Sequence, residues 1–185
     1  AITKFEYDRS RNRTVIKYGE SANGNQPNNV VRTVYDERDL PFTVTRGYGG
    51  PDASSTQYDY DGNGNLARIA RGLPGQEDVW TIVSDGYDRA VRATDPMGNV
   101  TEWGHDASGN VDSKKILGEL ADVDGGAGNI RLFEASRVFD AMNRLTDTEA
   151  RFFDPATQAD IGDGKANTHL VWSPSSQIQS ITNDN

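Results

Sequence analysis

A seven-residue phrase recurs along the whole chain, and its clearest copy is YDGNGNL at positions 60–66. The phrase joins a ring, an aspartate, two variable positions, a residue that tolerates left-handed backbone, a polar residue and an apolar one. It begins again at Tyr7, Tyr35, Ser84, Thr94, His105, Phe139 and Trp172. Eight copies in 185 residues predict a repeat architecture, whose function resides in the assembled array rather than in one cleft.

The separate positions of the phrase show what is repeated. The first carries a ring in six copies: Tyr7, Tyr35, Tyr60, His105, Phe139 and Trp172. The second is aspartate in seven: Asp8, Asp36, Asp61, Asp85, Asp95, Asp106 and Asp140. The fifth is a residue that tolerates positive φ in six: Asp39, Gly64, Asp88, Gly98, Gly109 and Asn143. Arg11 and Ser176 fill the fifth position of the other two copies, and neither suits a left-handed turn residue.

The order of these residues predicts a strand reversal. The ring ends one strand and packs on a sheet face. The aspartate side chain accepts a hydrogen bond from the backbone two residues on, which starts an Asx-type turn. The fifth residue closes a type I turn with a G1 bulge, and the mostly apolar seventh residue starts the returning strand. Each copy is therefore expected to reverse a β-strand.

The spacing of the copies predicts how the strands are arranged. Successive copies start 28, 25, 24, 10, 11, 34 and 33 residues apart. Between the turns at 95–99 and 106–110 there is room for one strand of roughly five residues, about 17 Å, so these two turns lie at opposite ends of a meander. The predicted fold class is all-β: an antiparallel meander of short strands and tight turns that forms a curved strip.

A coarse reading of β-propensity places the strands between these turns. Strands are predicted around 2–6, 14–18, 30–35, 42–46, 56–60, 66–71, 79–83, 90–94, 100–104, 132–139, 145–152, 169–172 and 179–182. Segments rich in Gly, Asn, Pro and Asp predict loops at 19–29, 47–55, 72–78, 122–129 and 154–167. The segment 113–120 is the one stretch whose apolar spacing permits a helical turn, although its internal glycine disfavours one.

The phrases at 60–66, 95–101 and 139–145 resemble those of the RHS or YD-repeat family. Its members include bacterial Rhs polymorphic toxins, the B and C components of insecticidal toxin complexes, wall-associated bacterial proteins and animal teneurins. The resemblance implies a long β-strip that coils into a hollow shell, which in the toxin branches encloses a carboxy-terminal effector. Nothing here resembles the self-cleaving core motif of that family. Residues 1–185 are interpreted as one repeat array without an internal domain boundary, a fragment of a longer polypeptide.

Composition is consistent with a thin, solvated sheet. Leu, Ile, Val and Phe account for 36 residues, the net charge is −9, and the mean hydropathy is −0.71. These values border on those of disordered chains, but the ordered turn chemistry favours a fold in which one modestly apolar face suffices. The absence of cysteine excludes disulfides and thiolate metal sites. No apolar run approaches the ~18 residues of a membrane helix, and the family resemblance implies a secreted or cell-surface location.

Two local patterns have a chemical interpretation beside the structural one. Asp59, Asp61 and Asn63 match the start of a calcium loop, but the twelfth position, where an EF-hand needs a bidentate carboxylate, is Ala70. The segment 105–108, His-Asp-Ala-Ser, holds the residue types of a catalytic triad, but adjacent residues of a strand point to opposite sides. Turn and ring roles are therefore preferred, and no catalytic residue, metal or cofactor is predicted. His169 has no evident partner in the sequence.

The predicted function is that of a non-enzymatic segment of a YD-repeat shell that encloses or presents a toxin or effector. Its expected partners are the remainder of the parent polypeptide and an encapsulated effector. The alternative is an extracellular recognition module that binds glycans or a cell-surface protein through its rings, among them Tyr58, Tyr60, Trp80, Trp103 and Trp172. Nucleic acid is not an expected partner, because 28 acidic residues outnumber 19 basic ones.

Overall fold

The computed structural model describes residues 2–73, 75–119, 128–162 and 165–184. These residues form fourteen β-strands and one 3-10 helix of five residues, Gly19–Asn23. Every strand pairing described is antiparallel, and paired strands follow one another in the chain. The predicted all-β meander is therefore confirmed. The helix is far too short to cross a bilayer, and the described part of the chain contains no membrane-spanning helix.

Backbone contacts divide the chain into two compact units, Ala1–Ile82 and Val83–Asn185. The first unit contains β1 (Lys4–Tyr7), β2 (Arg13–Lys17), β3 (Val30–Tyr35), β4 (Pro41–Arg46), β5 (Ser54–Tyr60), β6 (Leu66–Leu73) and β7 (Gln76–Ser84), whose last two residues belong to the second unit. The second unit contains β8 (Ala90–Thr94), β9 (Val100–His105), β10 (Val111–Gly118), β11 (Ile130–Phe139), β12 (Leu145–Phe152), β13 (Ala166–Trp172) and β14 (Ile178–Asn183).

A single register rule holds wherever a strand that leaves one turn phrase pairs with the strand that enters the next phrase at the same edge. For the phrase at Ser84 that partner is the phrase at His105, because the turn at Thr94 joins β8 to β9 at the other edge. The residue two after the seventh position lies opposite the residue three before the first position of the partner phrase. The six pairs are Val15 with Arg32, Thr43 with Gln57, Arg68 with Thr81, Arg92 with Glu102, Ser113 with Ser136, and Asp147 with His169. The connections between these strands differ in length, so the register is a property of the strands and turns and not of the loops.

Within each unit the sheet buries little. The buried apolar side chains among the described residues are Ala22, Val30, Ala70, Val100 and Phe153. None of the described side chains is both large and fully buried, and contacts between elements are concentrated in neighbouring strands. Both faces of the strands are therefore partly solvated, which agrees with the low content of apolar residues.

The structure corrects two sequence-based expectations. Residues 113–118, where the apolar spacing permits a helical turn, belong to β10, because their neighbours β9 and β11 supply backbone partners on both sides. Two side chains pack closely over Gly118: a Cβ atom there would lie 2.8 Å from Asn99 Oδ1 and 2.9 Å from Leu132 Cδ1, so these side chains would have to shift. The predicted loop 72–78 is instead a tight hairpin, since β6 continues to Leu73 and β7 begins at Gln76.

The other predicted strands all coincide with or overlap strands of the structure. The predicted loops 47–55 and 154–167 each lose their last two residues to a strand, β5 and β13. The predicted loop 122–129 lies outside the described residues except for its last two positions, and so does residue 120.

Candidate functional site: the repeated turns

All eight phrases adopt the same backbone turn. The N–H of the second residue donates to the carbonyl of the sixth at 2.8–3.0 Å, and the N–H of the fifth donates to the carbonyl of the second at 2.9–3.2 Å. In the same hairpins the first residue pairs with the seventh, as Tyr60 does with Leu66 and Trp172 with Ile178. This is a type I turn closed by a G1 bulge, the geometry that the sequence predicts.

The fifth residue has positive φ in every copy. Gly64 lies at 92°, Asp39 at 61° and Asn143 at 62°. Arg11 at 71° and Ser176 at 61° do the same, so the expectation that these two would not suit the left-handed position is wrong. The two backbone bonds of the turn and the side chain of the second residue hold the backbone there, at a cost of roughly 1–2 kcal/mol for a residue with a Cβ atom.

The side chain of the second residue accepts hydrogen bonds from the backbone of its own turn. The Oδ1 atom of each turn aspartate accepts the N–H of the sixth residue at 2.8–3.1 Å, and Ser173 Oγ does so in the eighth copy at 3.0 Å. In five copies Oδ1 also accepts the N–H two residues on, which is the Asx-type bond predicted from the sequence. The bond to the sixth residue was not anticipated, although the position is polar in seven copies.

These bonds lower the pKa of five turn aspartates: Asp36, Asp61, Asp85, Asp106 and Asp140. The largest effect is at Asp85, where the side-chain hydrogen bond from Arg89 is the main cause and the pKa falls to about 2. At Asp36, partial desolvation raises the pKa, but hydrogen bonds from Leu40 and Arg38 outweigh it. These five carboxylates are thus ionised hydrogen-bond acceptors at neutral pH.

Three of the six rings at the first position, Tyr35, Tyr60 and Trp172, connect their turn to the preceding turn. Tyr35 Oη donates to the carbonyl of Arg13 at 3.1 Å. In the second unit, Trp172 Nε1 donates to the carbonyl of Leu145 at 2.7 Å. In both cases the acceptor is the seventh residue of the turn before it. In these copies the ring is therefore a hydrogen-bonded link between turns as well as a packing device.

Side chains from the turn loops make a second set of links between turns at the same edge. In the first unit, Asn12 Nδ2 donates to Asp39 Oδ1 at 2.6 Å, and Arg38 Nη1 donates to the carbonyl of Asp61 at 2.8 Å. We call the turns at Asp8, Asp36 and Asp61, with their ring and loop links, the first turn ladder.

The second unit carries a corresponding ladder at Asp85, Asp106, Asp140 and Ser173. Its loop links run from Arg89 Nη1 to the carbonyl of Asp106 at 3.2 Å, from Asn110 Nδ2 to Asn143 Oδ1 at 2.9 Å, and from Arg144 Nη1 to the carbonyl of Ser173 at 3.0 Å.

The turn at Asp95 lies outside these ladders, because it joins β8 to β9 at the opposite edge of its unit. It is held instead by Asn129 Nδ2, which donates to the carbonyl of Gly98 at 2.7 Å. Asp95 and Asp106 thus lie at opposite ends of β9, as the spacing of the sequence predicts.

The three residues of the calcium-like segment are used by the protein itself. Asp59 Oδ2 lies 2.9 Å from Arg68 Nη1, and its Oδ1 accepts from Gln57. Asp61 accepts the N–H groups of Asn63 and Asn65. Within the described part of the chain, no cluster of three or more acidic or histidine side chains is placed to hold a metal ion.

The two histidines have different surroundings. Asp106 accepts hydrogen bonds from the N–H groups of Ser108 and Asn110. His105 Nδ1 has no hydrogen-bond partner among the described residues. Segment 105–108 therefore does not form a hydrogen-bonded triad. His169 does have a partner that the sequence did not reveal: its Nδ1 lies 2.6 Å from Asp147 Oδ1 across β12 and β13. That hydrogen bond lowers the pKa of Asp147.

A polar hollow of about 480 Å³ lies on β9 to β12 of the second unit. Four of its charged side chains, Glu102, Lys115, Glu134 and Arg151, lie in one cross-strand row of alternating sign that begins at Arg92 on β8. The other two charged residues that line it, Lys114 and Glu149, are also of opposite sign. Lys115 Nζ lies 3.5 Å from Glu134 Oε1, and Arg151 Nη2 lies 2.6 Å from Asp160 Oδ2. Because opposite charges neutralise one another along the row, this face has no single-sign patch.

Comparisons with known proteins give matches among solved structures. No protein-family model matches the chain, and no curated protein sequence matches it. The chain is similar to part of the Photorhabdus luminescens Tc holotoxin pore with a mutation in TccC3, at 13% identity and a TM-score of 0.42, over 84% of this chain and 9% of that one. A TcdB2–TccC3–TEV crystal structure matches at 10% identity and a TM-score of 0.34, over 98% of this chain and 11% of that one.

A third match is the TcdB2–TccC3 crystal structure without its hypervariable C-terminal region, at 10% identity and a TM-score of 0.29. It covers 98% of this chain and 13% of the other. The chain therefore spans about a tenth of the length of the chains that it matches.

Proposed function

We propose that this chain is a non-enzymatic structural segment of a YD-repeat wall, which encloses or presents a toxin or effector polypeptide at or beyond the cell surface. The observation that carries the proposal is the turn ladder. Five of the turns use side chains to bond both their own residues and the following turn at the same edge, as Arg144 does with Asp140 and Ser173. Links of this kind continue from turn to turn along one edge of a sheet, as an extended structural wall requires.

The thin core supports the same proposal. A sheet whose faces are both partly solvated gains little stability from burial, so its rigidity depends on backbone ladders and on the links between turns. The resemblance of the turn phrase to RHS and YD repeats supplies the enclosed effector and the secreted or cell-surface location as parts of this proposal.

The alternative function, recognition of glycans or of a cell-surface protein, draws less support from the rings. The hydroxyl groups of Tyr35 and Tyr60 and the indole N–H of Trp172 donate to backbone carbonyls within the fold, so these donors are not available to sugar hydroxyls. Trp80 and Trp103 lie on strands and have no such bond among the hydrogen bonds described.

The test uses the parent polypeptide that carries this chain. Asp61→Ala and Asp140→Ala each break a turn ladder and are expected to expose the enclosed polypeptide to protease, whereas Glu37→Ala, an exposed residue of the turn loop 36–40, leaves it protected. In parallel, the 185-residue chain is applied to a glycan array and to a panel of hydrolase substrates. Protection that survives both ladder variants, or saturable glycan binding or turnover by the chain, would contradict the structural function.

A further inference from the structure

The polar hollow of the second unit lies on one face of its sheet, and the opposite face has a different chemistry. Paired residues of adjacent strands project to the same face, and successive residues of a strand project to opposite faces. Of the residues that line the hollow, Trp103, Lys114 and Ala135 take the alternate positions of β9, β10 and β11. They therefore line the hollow with their backbone, and their side chains lie on the other face.

We call the face of the hollow the charged face, because the acidic residues of the second-unit strands all lie on it. Four of them belong to its cross-strand rows: Glu102, Glu134, Asp147 and Glu149. The fifth, Asp112, reaches the same face, since a Cβ atom on Gly104 would lie 2.8 Å from its Oδ1. Ion pairs lie there too, with Lys115 Nζ 3.5 Å from Glu134 Oε1 and Lys165 Nζ 2.9 Å from Glu149 Oε2.

We call the opposite face the aromatic face and define it by Trp103, Lys114, Phe133, Ala135, Arg137, Ala150 and Phe152. Phe133 and Phe152 oppose each other with ring centroids 5.2 Å apart, and Phe152 is 54% exposed. The next pair on this face, Ala135 with Ala150, has small side chains, so the rings stand beside a shallow groove across β11 and β12. An exposed apolar surface of this kind is typical of an interaction site.

Two cations flank the groove. Lys114 lies opposite Ala135, and Arg137 follows Ala135 by two residues along β11. Arg137 Nη1 donates to the neutral carbonyl of Val111 at 3.4 Å, and no ion pair of either cation is described. None of the described strand residues on this face is acidic, although the chain has a net charge of −9. The face is therefore complementary to the carboxylates of a partner.

We propose that the aromatic face of the second unit binds a segment of a partner protein that carries apolar and acidic side chains. The apolar side chains cover Phe152 and the alanine groove, and the carboxylates pair with Lys114 and Arg137. Burial of apolar surface drives the association, whereas charge complementarity selects the partner. This inference goes beyond the proposed function, because it requires neither a closed wall nor an enclosed polypeptide.

Short synthetic peptides test the chemistry of the partner. A peptide of leucine and glutamate is titrated calorimetrically into the 185-residue chain, beside a peptide of leucine and lysine and one of serine and glutamate in the same order. The leucine–glutamate peptide is expected to bind about tenfold more tightly than either of the others, because it alone supplies both apolar surface and carboxylates.

Lys114→Gln and Lys115→Gln are a matched pair, because neighbouring residues of β10 project to opposite faces. Lys114→Gln is expected to weaken binding of the leucine–glutamate peptide about fivefold through the loss of one partly exposed ion pair, and Lys115→Gln to leave it unchanged.

Phe152→Ser and Val138→Ser form a second pair, because Val138 is 55% exposed on the charged face. Phe152→Ser is expected to weaken peptide binding about tenfold, and Val138→Ser to leave it unchanged. Far-UV spectra check that each variant keeps its fold. The lysine pair decides alone if Phe152→Ser unfolds.

The other outcomes overturn the proposal. They are equally tight binding of the leucine–lysine peptide, equal losses in Lys114→Gln and Lys115→Gln, and no binding of the leucine–glutamate peptide. Equally tight binding of a single-stranded oligonucleotide would make the face a site for polyanions instead. Self-association of the chain in sedimentation, abolished by Phe152→Ser, would assign the face to a second copy. Each of these results leaves the structural function standing, because that function is tested by protection of the enclosed polypeptide.

Discussion

The hydroxyl group of Tyr60 donates a 3.0 Å hydrogen bond to the backbone carbonyl of Pro41. Tyr60 ends β5 and opens one turn phrase, whereas Pro41 is the seventh residue of the preceding phrase and begins β4. Arg38 of that preceding turn also lies over the Tyr60 ring, with its guanidinium carbon 5.7 Å from the ring centroid. One side chain thus joins two turns that are 25 residues apart in the sequence.

Replacing Tyr60 by phenylalanine keeps the ring and removes only this bond. We expect Tyr60→Phe to lower the free energy of unfolding by about 1 kcal/mol, because the Pro41 carbonyl loses its partner. Tyr87→Phe is the matched control: the side chain is 81% exposed, and no hydrogen bond of its hydroxyl group is described. Urea denaturation of both variants measures the difference, and equal free energies of unfolding would show that the ring link contributes nothing.

Substitutions at the left-handed fifth position are expected to raise the stability at Arg11 and to lower it at Gly64. Arg11 holds φ at 71° with a Cβ atom present, so Arg11→Gly is expected to stabilise the fold by about 0.5–1 kcal/mol. Gly64→Val, at φ 92°, is expected to destabilise it by on the order of 1–2 kcal/mol, since its new Cβ finds only Leu40 Cδ1 at 3.8 Å and the cost is backbone strain. Thermal denaturation decides the signs. A loss of stability in Arg11→Gly would mean that the arginine side chain makes a compensating contact.

The turns could be predicted from the sequence because their chemistry is local. A glycine such as Gly64 marks the left-handed residue directly, and the aspartate before it marks the Asx bond. Arg11 was misjudged since propensity at one residue is weaker than the hydrogen bonds that Asp8 imposes on the whole turn. The same limit applies to β10, whose lysines and serine have modest β-propensity and are held in a strand by neighbours on both sides.

The links between turns could not be predicted in this way. They join residues 17–33 apart in the sequence, and their geometry depends on which turns share an edge and on the strand register. The partner of His169 was missed for the same reason: Asp147 comes next to it only when β12 and β13 pair. The one sequence signal for these links is the sixth position of the phrase, which is polar in seven of the eight copies. This regularity is consistent with the links that the side chains at that position make.

Acid is expected to unfold the protein through its turn carboxylates. The pKa values of five of them, Asp36, Asp61, Asp85, Asp106 and Asp140, are lowered in the fold, most clearly at Asp85, to about 2. A carboxylate whose pKa is lower in the native state than in the unfolded state stabilises the fold. This stabilisation is complete above the unfolded-state pKa, near 3.9, and is lost as the pH falls through the native-state pKa. The melting temperature should therefore fall between about pH 4 and pH 2.

Asp85→Asn tests the assignment, because it removes one of these titrations and should make the fall with acid smaller. Asp78→Asn, on β7 outside the eight turns, serves as the control. If both variants lose stability with acid as steeply as the unaltered chain, the turn at Asp85 does not contribute to the pH dependence.

Calcium is expected to leave the protein unchanged. The carboxylates of Asp59 and Asp61 are already bonded to Arg68 and to backbone N–H groups, so a cation would have to displace those partners. The melting temperature in millimolar calcium should equal that in a chelator. A clear rise that Asp61→Ala abolishes and Asp140→Ala keeps would establish a calcium site at residues 59–63 instead.

Arg144 is the side chain whose removal should damage the second turn ladder most. Its guanidinium group lies 2.7 Å from Asp140 Oδ2, donates to the carbonyl of Ser173, and stands 5.5 Å from the centroid of the Trp172 ring. Arg144→Met keeps most of the stem and is expected to cost about 1–3 kcal/mol in the free energy of unfolding, because a charge-assisted bond to a neighbouring turn is lost.

Arg68→Met is the matched control for that loss. Arg68 pairs with Asp59 across two strands, both side chains are 36% exposed, and exposed pairs of this kind contribute about 0–1 kcal/mol. A double-mutant cycle of Arg144→Met with Trp172→Leu isolates the stacking, for which a coupling of about 0.5–1 kcal/mol is expected. If Arg144→Met costs no more than Arg68→Met, the contacts between turns are a consequence of the strand register and do not hold the edge together.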